Sequence, residues 1–149
     1  MVKSPNLLDF YKNCQNRLKE IMACQKSQLL IYNHEKKTLT KLNLSESQLI
    51  TIENPTGLIE LCIEKRQILD VLEPMKHKCY NTQLDLESNL SLLTVPIIDN
   101  DSQNIIAVFQ VVNLMNNIGR NYGKAEWIDK EVIDFLCEII KICLHRFFF

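Results

Sequence analysis

The chain has 149 residues, of which 46% are hydrophobic and 23% are charged, a composition typical of a globular domain that buries a core of its own. Its 17 Lys and Arg nearly balance its 18 Asp and Glu, which excludes a general electrostatic attraction to nucleic acid or to an anionic membrane. The first residues lack the apolar core of a signal peptide, and no apolar run is long enough to span a bilayer, so we expect a cytoplasmic protein.

The first third of the sequence predicts one helix followed by three strands. Apolar residues recur at alternating steps of four and three behind Ser4-Pro5, which predicts an amphipathic helix over residues 6–26. Three short β-like runs follow it. They are Gln28–Tyr32, Thr38–Leu44 and Leu49–Ile52, with a polar turn at 33–37 between the first two.

The middle of the chain predicts a short helix over Gly57–Lys65 and a brief strand over Gln67–Leu72 that stops at Pro74. Residues 75–90 are polar and irregular, so we expect a loop or a short helix there. A loop is also expected at 116–124, which holds two of the three glycines.

A β-hairpin is the clearest local prediction. Two apolar runs, Leu92–Ile98 and Ile105–Val112, flank a polar tip at 99–104. Pro96 lies inside the first run and cannot donate a backbone hydrogen bond, which predicts an edge strand or a bulge at that point.

The last predicted element is a helix over residues 126–146. Its apolar positions are Ile128, Val132, Phe135, Leu136, Ile139, Ile140, Cys143 and Leu144. They cover a wider face than one contact needs, so we expect the helix to touch both the sheet and a second helix.

This order of elements resembles a GAF domain over nearly the whole chain. SQLLIYNHEKKTLTKL resembles the first hairpin of that family, and NPTGLIELCIEKRQILDV resembles its glycine-led helix and the strand after it. Tyr80-Asn81, Asp85 and Val95-Pro96-Ile97 occupy the positions of an aromatic-Asn pair, an Asp and a "VPI" strand in the phosphodiesterase and cyclase branch.

The resemblance implies one α+β domain over residues 1–149, with a fold of the GAF, PAS and profilin kind. An antiparallel sheet of about six strands, over residues 27–115, is expected to carry the two terminal helices on one face. The short helix and the loops are expected on the other face.

Several positions depart from the pattern of the ligand-binding members. Glu60 stands where a small residue is usual, and Lys65-Arg66 replaces a Thr-Gly turn, so a long charged side chain is expected to fill space near the ligand. Leu114 and Lys130 replace the Lys and the Glu of the cyclic-nucleotide motif. The resemblance therefore implies a degenerate pocket.

The first of three functions that the resemblance suggests is non-enzymatic. The domain would be an interaction or scaffold module of a larger intracellular assembly, such as a cytoskeletal or ciliary one, and would bind other protein subunits through its terminal helices. The candidate interface residues are Leu7, Tyr11, Leu18, Ile139, Phe147, Phe148 and Phe149. The plain alternative is that both helices only pack on their own sheet.

The second function is a sensor of a small ligand such as a cyclic nucleotide. Tyr80, Asp85, Gln110 and Asn113 would line its pocket. Each also has a structural interpretation: Asp85 as a helix or turn cap, Tyr80 as a half-buried core residue, and the other two as sheet and strand-end residues.

The third function is a reductase of the free methionine-(R)-sulfoxide type, which needs an accessible thiol of low pKa and a resolving partner. The chain lacks that family's clustered glycine-rich cysteine motifs: Cys62 lies on an apolar helix face, and Cys79 stands alone in a loop. Pairs such as His77 with Cys79 fall short of the four ligands of a zinc site. We therefore expect no catalytic residue, no metal and no cofactor.

Overall fold

The computed structural model describes residues 7–22, 24–43, 47–88, 91–112 and 130–148. In chain order the elements are α1 (Leu7–Met22), β1 (Lys26–Asn33), β2 (Thr38–Asn43), β3 (Gln48–Glu53), α2 (Gly57–Lys65), β4 (Leu69–Leu72), a 3₁₀ turn (Pro74–Lys76), β5 (Ser91–Ile98), β6 (Ile105–Val112) and α3 (Lys130–Phe148). The loop predicted at 116–124 and the candidate residues Asn113 and Phe149 lie outside the described residues.

The first helix is shorter than the predicted span of 6–26. It ends at Met22, and Lys26 already belongs to β1, where it pairs with Val112. The backbone N–H of Gln25 donates to the carbonyl of Val112 at 3.0 Å. The prediction is therefore wrong at its last residues, because the backbone there bonds to the sheet.

The six strands form one antiparallel sheet in the order β3-β2-β1-β6-β5-β4. All eight residues of β6 are buried, since this strand lies between β1 and β5 and is covered on both faces. Alternate residues of a strand point to opposite faces, so each apolar run supplies both layers of the core.

One face of the sheet carries α1 and α3, and the other carries α2 and the segment after β4. Phe109 and Val111 of β6 share a core cluster with side chains of both terminal helices. Val108, on the opposite face, packs with Ile59 and Cys62 of α2. This α+β arrangement is the one expected from the sequence. Among the described helices, none is both long enough and apolar enough to cross a membrane.

Two of the residues predicted at an interface instead hold α1 on the sheet. Tyr11 is fully buried and its hydroxyl donates to the carbonyl of Thr40 at 2.8 Å. Leu18 is buried in the cluster that joins both terminal helices to the sheet. Their assignment to an interface is corrected: both are core residues, because the apolar stripe of α1 faces its own sheet.

Pro96 lies in β5, an inner strand, so of the two predicted alternatives the edge strand is wrong and an irregularity of the strand close to Pro96 is present. Within the described strands, β4 pairs only with Ser91–Thr94, and Pro96 lies two residues beyond that pairing. The register of β5 against β6 shifts between Ile97 and Ile98. The missing donor of Pro96 is therefore tolerated next to an irregularity and past the end of the neighbouring strand.

Candidate functional site

A row of three polar side chains crosses the sheet beneath α2. Gln28, Gln110 and Thr94 are cross-strand partners on β1, β6 and β5, so their side chains lie on one face. Gln110 is 0% exposed. Its Nε2 donates to Thr94 Oγ1 at 3.1 Å, and its Oε1 accepts from Gln28 Nε2 at 2.7 Å. The row leaves Gln110 with no surface open to a ligand.

Asp85 connects this row to the first turn of α2. Its Oδ1 accepts from Gln110 Nε2 at 3.0 Å and from the backbone N–H of Ile59 at 3.2 Å. Its Oδ2 accepts from the N–H of Leu58 at 2.8 Å. The first N–H groups of a helix have no partner inside the helix, and Thr56 at the N-cap position offers no side-chain hydrogen bond to them. Asp85 therefore caps α2 from a distant part of the chain.

The backbone and side chains of residues 81–86 form further hydrogen bonds around the Asp85 carboxylate and Gln110. The backbone N–H of Asn81 donates to Asp85 Oδ2 at 2.9 Å, so four donors converge on the carboxylate. Asn81 Nδ2 also donates to Thr56 Oγ1 at 2.7 Å, and the N–H of Leu86 donates to Gln110 Oε1 at 3.1 Å. In the described part of the chain, no buried side-chain nitrogen or oxygen lacks a hydrogen-bond partner.

Gly57 makes this close approach possible. It has φ +92°, and a Cβ added there would lie 2.5 Å from Asp85 Oδ2 and 2.8 Å from the Cβ of Asn81. Only glycine accepts both this backbone conformation and the carboxylate against it. The glycine at the start of α2 therefore leaves room for the buried Asp85 carboxylate that caps the helix.

The structure brings together two of the four predicted pocket residues, Asp85 and Gln110. Tyr80 lies beside them, half-buried, and its hydroxyl donates to the carbonyl of Leu86 at 3.3 Å. Sequence reasoning missed Gln28 and Thr94, whose only signal is a polar residue at an inward position of a buried strand.

Arg66 and Glu60 both lie at α2, but neither enters the Asp85 network. Arg66 ends α2 in the left-handed conformation, and its guanidinium donates to the carbonyl of Gln103 at the hairpin tip. Its side chain is exposed and lies outside the hydrogen-bond network of Asp85. Glu60 lies near Tyr32, where burial and, to a smaller degree, the Glu60 charge raise the pKa of the hydroxyl.

Of the cysteines in the described residues, Cys24 and Cys62 are buried and the other four are half-buried. Burial raises the pKa of Cys62, Cys14 and Cys137 to about 12 and that of Cys24 to about 11. Cys62 Sγ donates to the carbonyl of Gln67 at 3.3 Å, which further holds it as a thiol. Within the described ranges, no three His, Cys, Asp or Glu side chains are grouped so that they could hold a metal ion.

A second candidate site is the outer face of α3. Its exposed apolar residues, called here the α3 stripe, follow one another at steps of three, four and three: Val132, Phe135, Ile139 and Ile142. Phe135 is 63% and Ile142 is 62% exposed. Another face of the same helix is buried against the sheet through Ile133, Leu136, Ile140 and Leu144. The helix thus has two apolar faces, and one of them meets solvent.

A groove of about 650 Å³ lies between α1 and α3, next to the stripe. Its apolar lining includes Phe10, Leu18 and Ile21 from α1 and Leu136, Ile139 and Ile140 from α3. Ile139, a predicted interface residue, belongs to both the stripe and the groove. For Leu7, Phe147 and Phe148 the side chains lie outside the described part, as does the whole of Phe149.

No family model matches this sequence, and no curated protein is significantly similar to it. Solved structures do match. A GAF domain/HD domain protein from Geobacter sulfurreducens has a TM-score of 0.66 at 14% identity, covering 97% of this chain and 95% of that one. The GAF domain of an Acinetobacter phosphoenolpyruvate-protein phosphotransferase has a TM-score of 0.64 at 16% identity, covering 91% of this chain and 79% of that one. Free methionine-R-sulfoxide reductase from Neisseria meningitidis, in complex with its substrate, has a TM-score of 0.62 at 13% identity, covering 95% of this chain and 79% of that one. The chain has a GAF fold.

Proposed function

We propose that this GAF-fold chain is a non-enzymatic interaction module that binds other protein subunits through α3. The observation that carries the proposal is the α3 stripe, in which Phe135 and Ile142 are each more than 60% exposed. Large aromatic and aliphatic side chains grouped on one exposed face are typical of protein-binding surfaces. A partner helix or surface that covers the stripe would remove this apolar area from water.

The closed polar centre supports the same function against that of a ligand sensor. A cyclic nucleotide at this point would have to displace the Asp85 carboxylate from α2 or separate Gln110 from its neighbours. Four hydrogen bonds to Asp85 oppose the first change, and hydrogen bonds to a buried charged group are costly to leave unmade. The chain itself supplies the anion that the N-terminus of α2 favours.

The state of Cys62 favours a non-enzymatic role. A sulfoxide reductase acts through a thiolate, and the thiolate is the reactive form of cysteine. Cys62 is fully buried with a pKa raised to about 12, so almost none of it is ionised at neutral pH.

The interaction proposal is tested by comparing two aspartate variants as tagged baits in a lysate of the source cells. Phe135→Asp places a charge in the α3 stripe, and Leu72→Asp is the matched control, since Leu72 is an exposed apolar residue on β4. We expect the proteins recovered with the wild-type chain to be lost with Phe135→Asp and kept with Leu72→Asp. Recovery of the same proteins by Phe135→Asp, with its circular dichroism unchanged, would overturn the proposal.

The sensor alternative is tested by thermal unfolding with saturating cAMP or cGMP. A ligand that binds only the folded chain stabilises it by about 2.7 kcal/mol at a hundredfold excess over its dissociation constant. We expect no shift of the midpoint with either nucleotide. A clear shift would favour the sensor and would make Asp85 and Tyr80 the first residues to substitute.

A further inference from the structure

We infer that the outer edge of β3 pairs with the same edge of a second copy of this chain, so that one antiparallel sheet continues across both copies. The inference is independent of the proposed function, since it concerns the end of the sheet and not α3. Three observations carry it: the length of the edge, its lack of the usual protection, and a residue order that fits itself about a twofold axis.

β3 is an edge strand along its whole length. It is the first strand in the order of the sheet, and among the described strands it pairs only with β2. All six of its residues, Gln48–Glu53, are in register with Thr38–Asn43, and no shift interrupts this pairing. Thr51, near the middle of the strand, is exposed. The side of β3 away from β2 therefore presents a regular row of backbone donors and acceptors, which is a template for another strand.

The edge of β3 lacks the features that keep sheet edges from pairing. Native proteins protect such edges with short strands, Lys, Pro or a bulge. β4, at the other end of the sheet, is protected in this way, because it has only four residues and is followed closely by Pro74. β3 holds no Lys, Arg or Pro, and half of its residues are apolar: Leu49, Ile50 and Ile52. Its one charged residue is Glu53, at the last position. The difference between the two edges favours a partner strand at β3.

The residue order of β3 fits a copy of itself. A twofold axis through Thr51 and perpendicular to the sheet makes an antiparallel pair and keeps each face of the sheet on the same side in both copies. It sets Thr51 opposite Thr51 of the other copy, and Ile50 opposite Ile52. Directly opposite Thr residues form a stabilising cross-strand pair, and the isoleucines bury apolar surface against each other. Glu53 lies opposite Leu49, so no like charges meet.

The isoleucine pairs extend a core that ends at β3. Ile52 is half-buried and lies opposite the fully buried Leu39, in the cluster on the α2 side of the sheet. Ile50 lies on the same face, because the side chains of a strand alternate. In the pair, Ile50 and Ile52 of both copies form one apolar row across the twofold axis. Since each copy contributes the same edge, the pairing closes as a dimer and does not extend into a fibre.

The test is sedimentation equilibrium of the full chain from low micromolar to near-millimolar concentration. We expect a weak dimer, because a pair of six-residue strands is smaller than a standard protein interface. Thr51→Lys sets two like charges opposite each other and should raise the dissociation constant about tenfold or more. Asn16→Lys, which adds the same charge to an exposed position of α1, should leave it unchanged. Circular dichroism shows whether each variant is folded. A wild-type chain that is monomeric at the highest concentration, or a dimer unaffected by Thr51→Lys, would overturn the inference.

The register is tested by mixing two variants. Thr51→Lys and Thr51→Glu should each be monomeric at concentrations where the wild type is a dimer, and an equimolar mixture should form a heterodimer, because opposite charges then face each other. A mixture no tighter than its components would contradict pairing through Thr51.

Phe135→Asp separates this inference from the proposed function, since it changes α3 and should leave the dimer intact. A dimer that is lost with Phe135→Asp and kept with Thr51→Lys would place self-association at α3 and overturn the pairing of β3. A wild type that is monomeric and still loses its protein partners with Phe135→Asp would refute the dimer and leave the interaction function standing.

Discussion

The carboxylate of Asp85 lies 2.8 Å from the backbone nitrogen of Leu58, 27 residues earlier in the chain. This contact fixes the loop after β4 to the start of α2, and Gln110 ties both to the centre of the sheet. One buried side chain thus holds three separate segments together. Removing the Asp85 side chain should therefore lower the stability of the fold more than removing an ordinary helix cap at the surface.

Replacing Asp85 by Asn should destabilise the fold almost as much as replacing it by Ala. All four groups around the carboxylate are donors, so the amide nitrogen of Asn would face a donor it cannot satisfy. We expect each variant to lower the free energy of unfolding by about 3 kcal/mol, measured by urea unfolding. Asp101→Asn, at the exposed hairpin tip, is the control and should change little. A midpoint for Asp85→Asn equal to that of the wild type would contradict the role of the carboxylate.

Gly57→Ala should destabilise the fold by about 2 kcal/mol or more, because the methyl group meets the Asp85 carboxylate and alanine disfavours positive φ. The steric part is measured by a double-mutant cycle with Asp85→Ala, which removes the atom 2.5 Å from the added Cβ. We expect the two losses to be less than additive. Strictly additive losses would show that the methyl group acts through backbone strain and the contact with Asn81, and not through the Asp85 carboxylate.

The sequence predicted the strands and helices well because each carries a local signal: period-two alternation, helical spacing, or a turn former at its end. The Asp85 network was harder to predict, since its members come from β1, α2, the loop after β4, β5 and β6. Asp85 and Gln110 were found through a resemblance and through a polar residue inside an apolar run. Gln28 and Thr94 were missed, because a single polar residue beside or inside an apolar run does not show which face of the sheet it lies on, or what covers that face.

The same limit explains the errors at Tyr11 and Leu18. A helical stripe shows that one face is apolar but not what covers it. Tyr11 and Leu18 of α1 are covered by the sheet, whereas α3 carries an exposed apolar stripe in addition to its buried face. The wide apolar face of the last helix was visible in the sequence, and only the three-dimensional structure divides it into a buried and an exposed part.

Stability in acid should depend on Asp99, at the end of β5. The backbone N–H of Ser102, then its hydroxyl, and to a smaller degree His145, hold the pKa of Asp99 below its ordinary value. The distances are 3.0 and 2.8 Å from Asp99 Oδ2 to the nitrogen and hydroxyl of Ser102, and 3.3 Å from Oδ1 to His145 Nε2. A carboxyl whose pKa falls on folding adds stability above its unfolded pKa and loses it as the pH falls through the folded value.

Asp99→Asn should therefore be less stable than the wild type at neutral pH, and the difference should shrink below about pH 4. Urea unfolding of both chains across the acid range measures it, with Asp101→Asn as the matched substitution two residues on. If the difference in unfolding free energy stayed constant down to the lowest pH, the contribution of Asp99 would not depend on the charge of its carboxylate.

Cys62 should be alkylated only when the chain unfolds. Cys62 belongs to α2, and its thiol is buried on the side of the helix that faces the sheet. The thiol donates to the carbonyl of Gln67 and has a pKa raised to about 12. Both the lack of access and the lack of ionisation therefore oppose alkylation. The measurement is iodoacetamide labelling at mildly alkaline pH with and without urea, read by peptide mass spectrometry. Cys79, half-buried in its loop, is the internal comparison and should react first. Rapid labelling of Cys62 in the folded chain would mean that α2 opens readily, and would return a thiol-based activity to consideration.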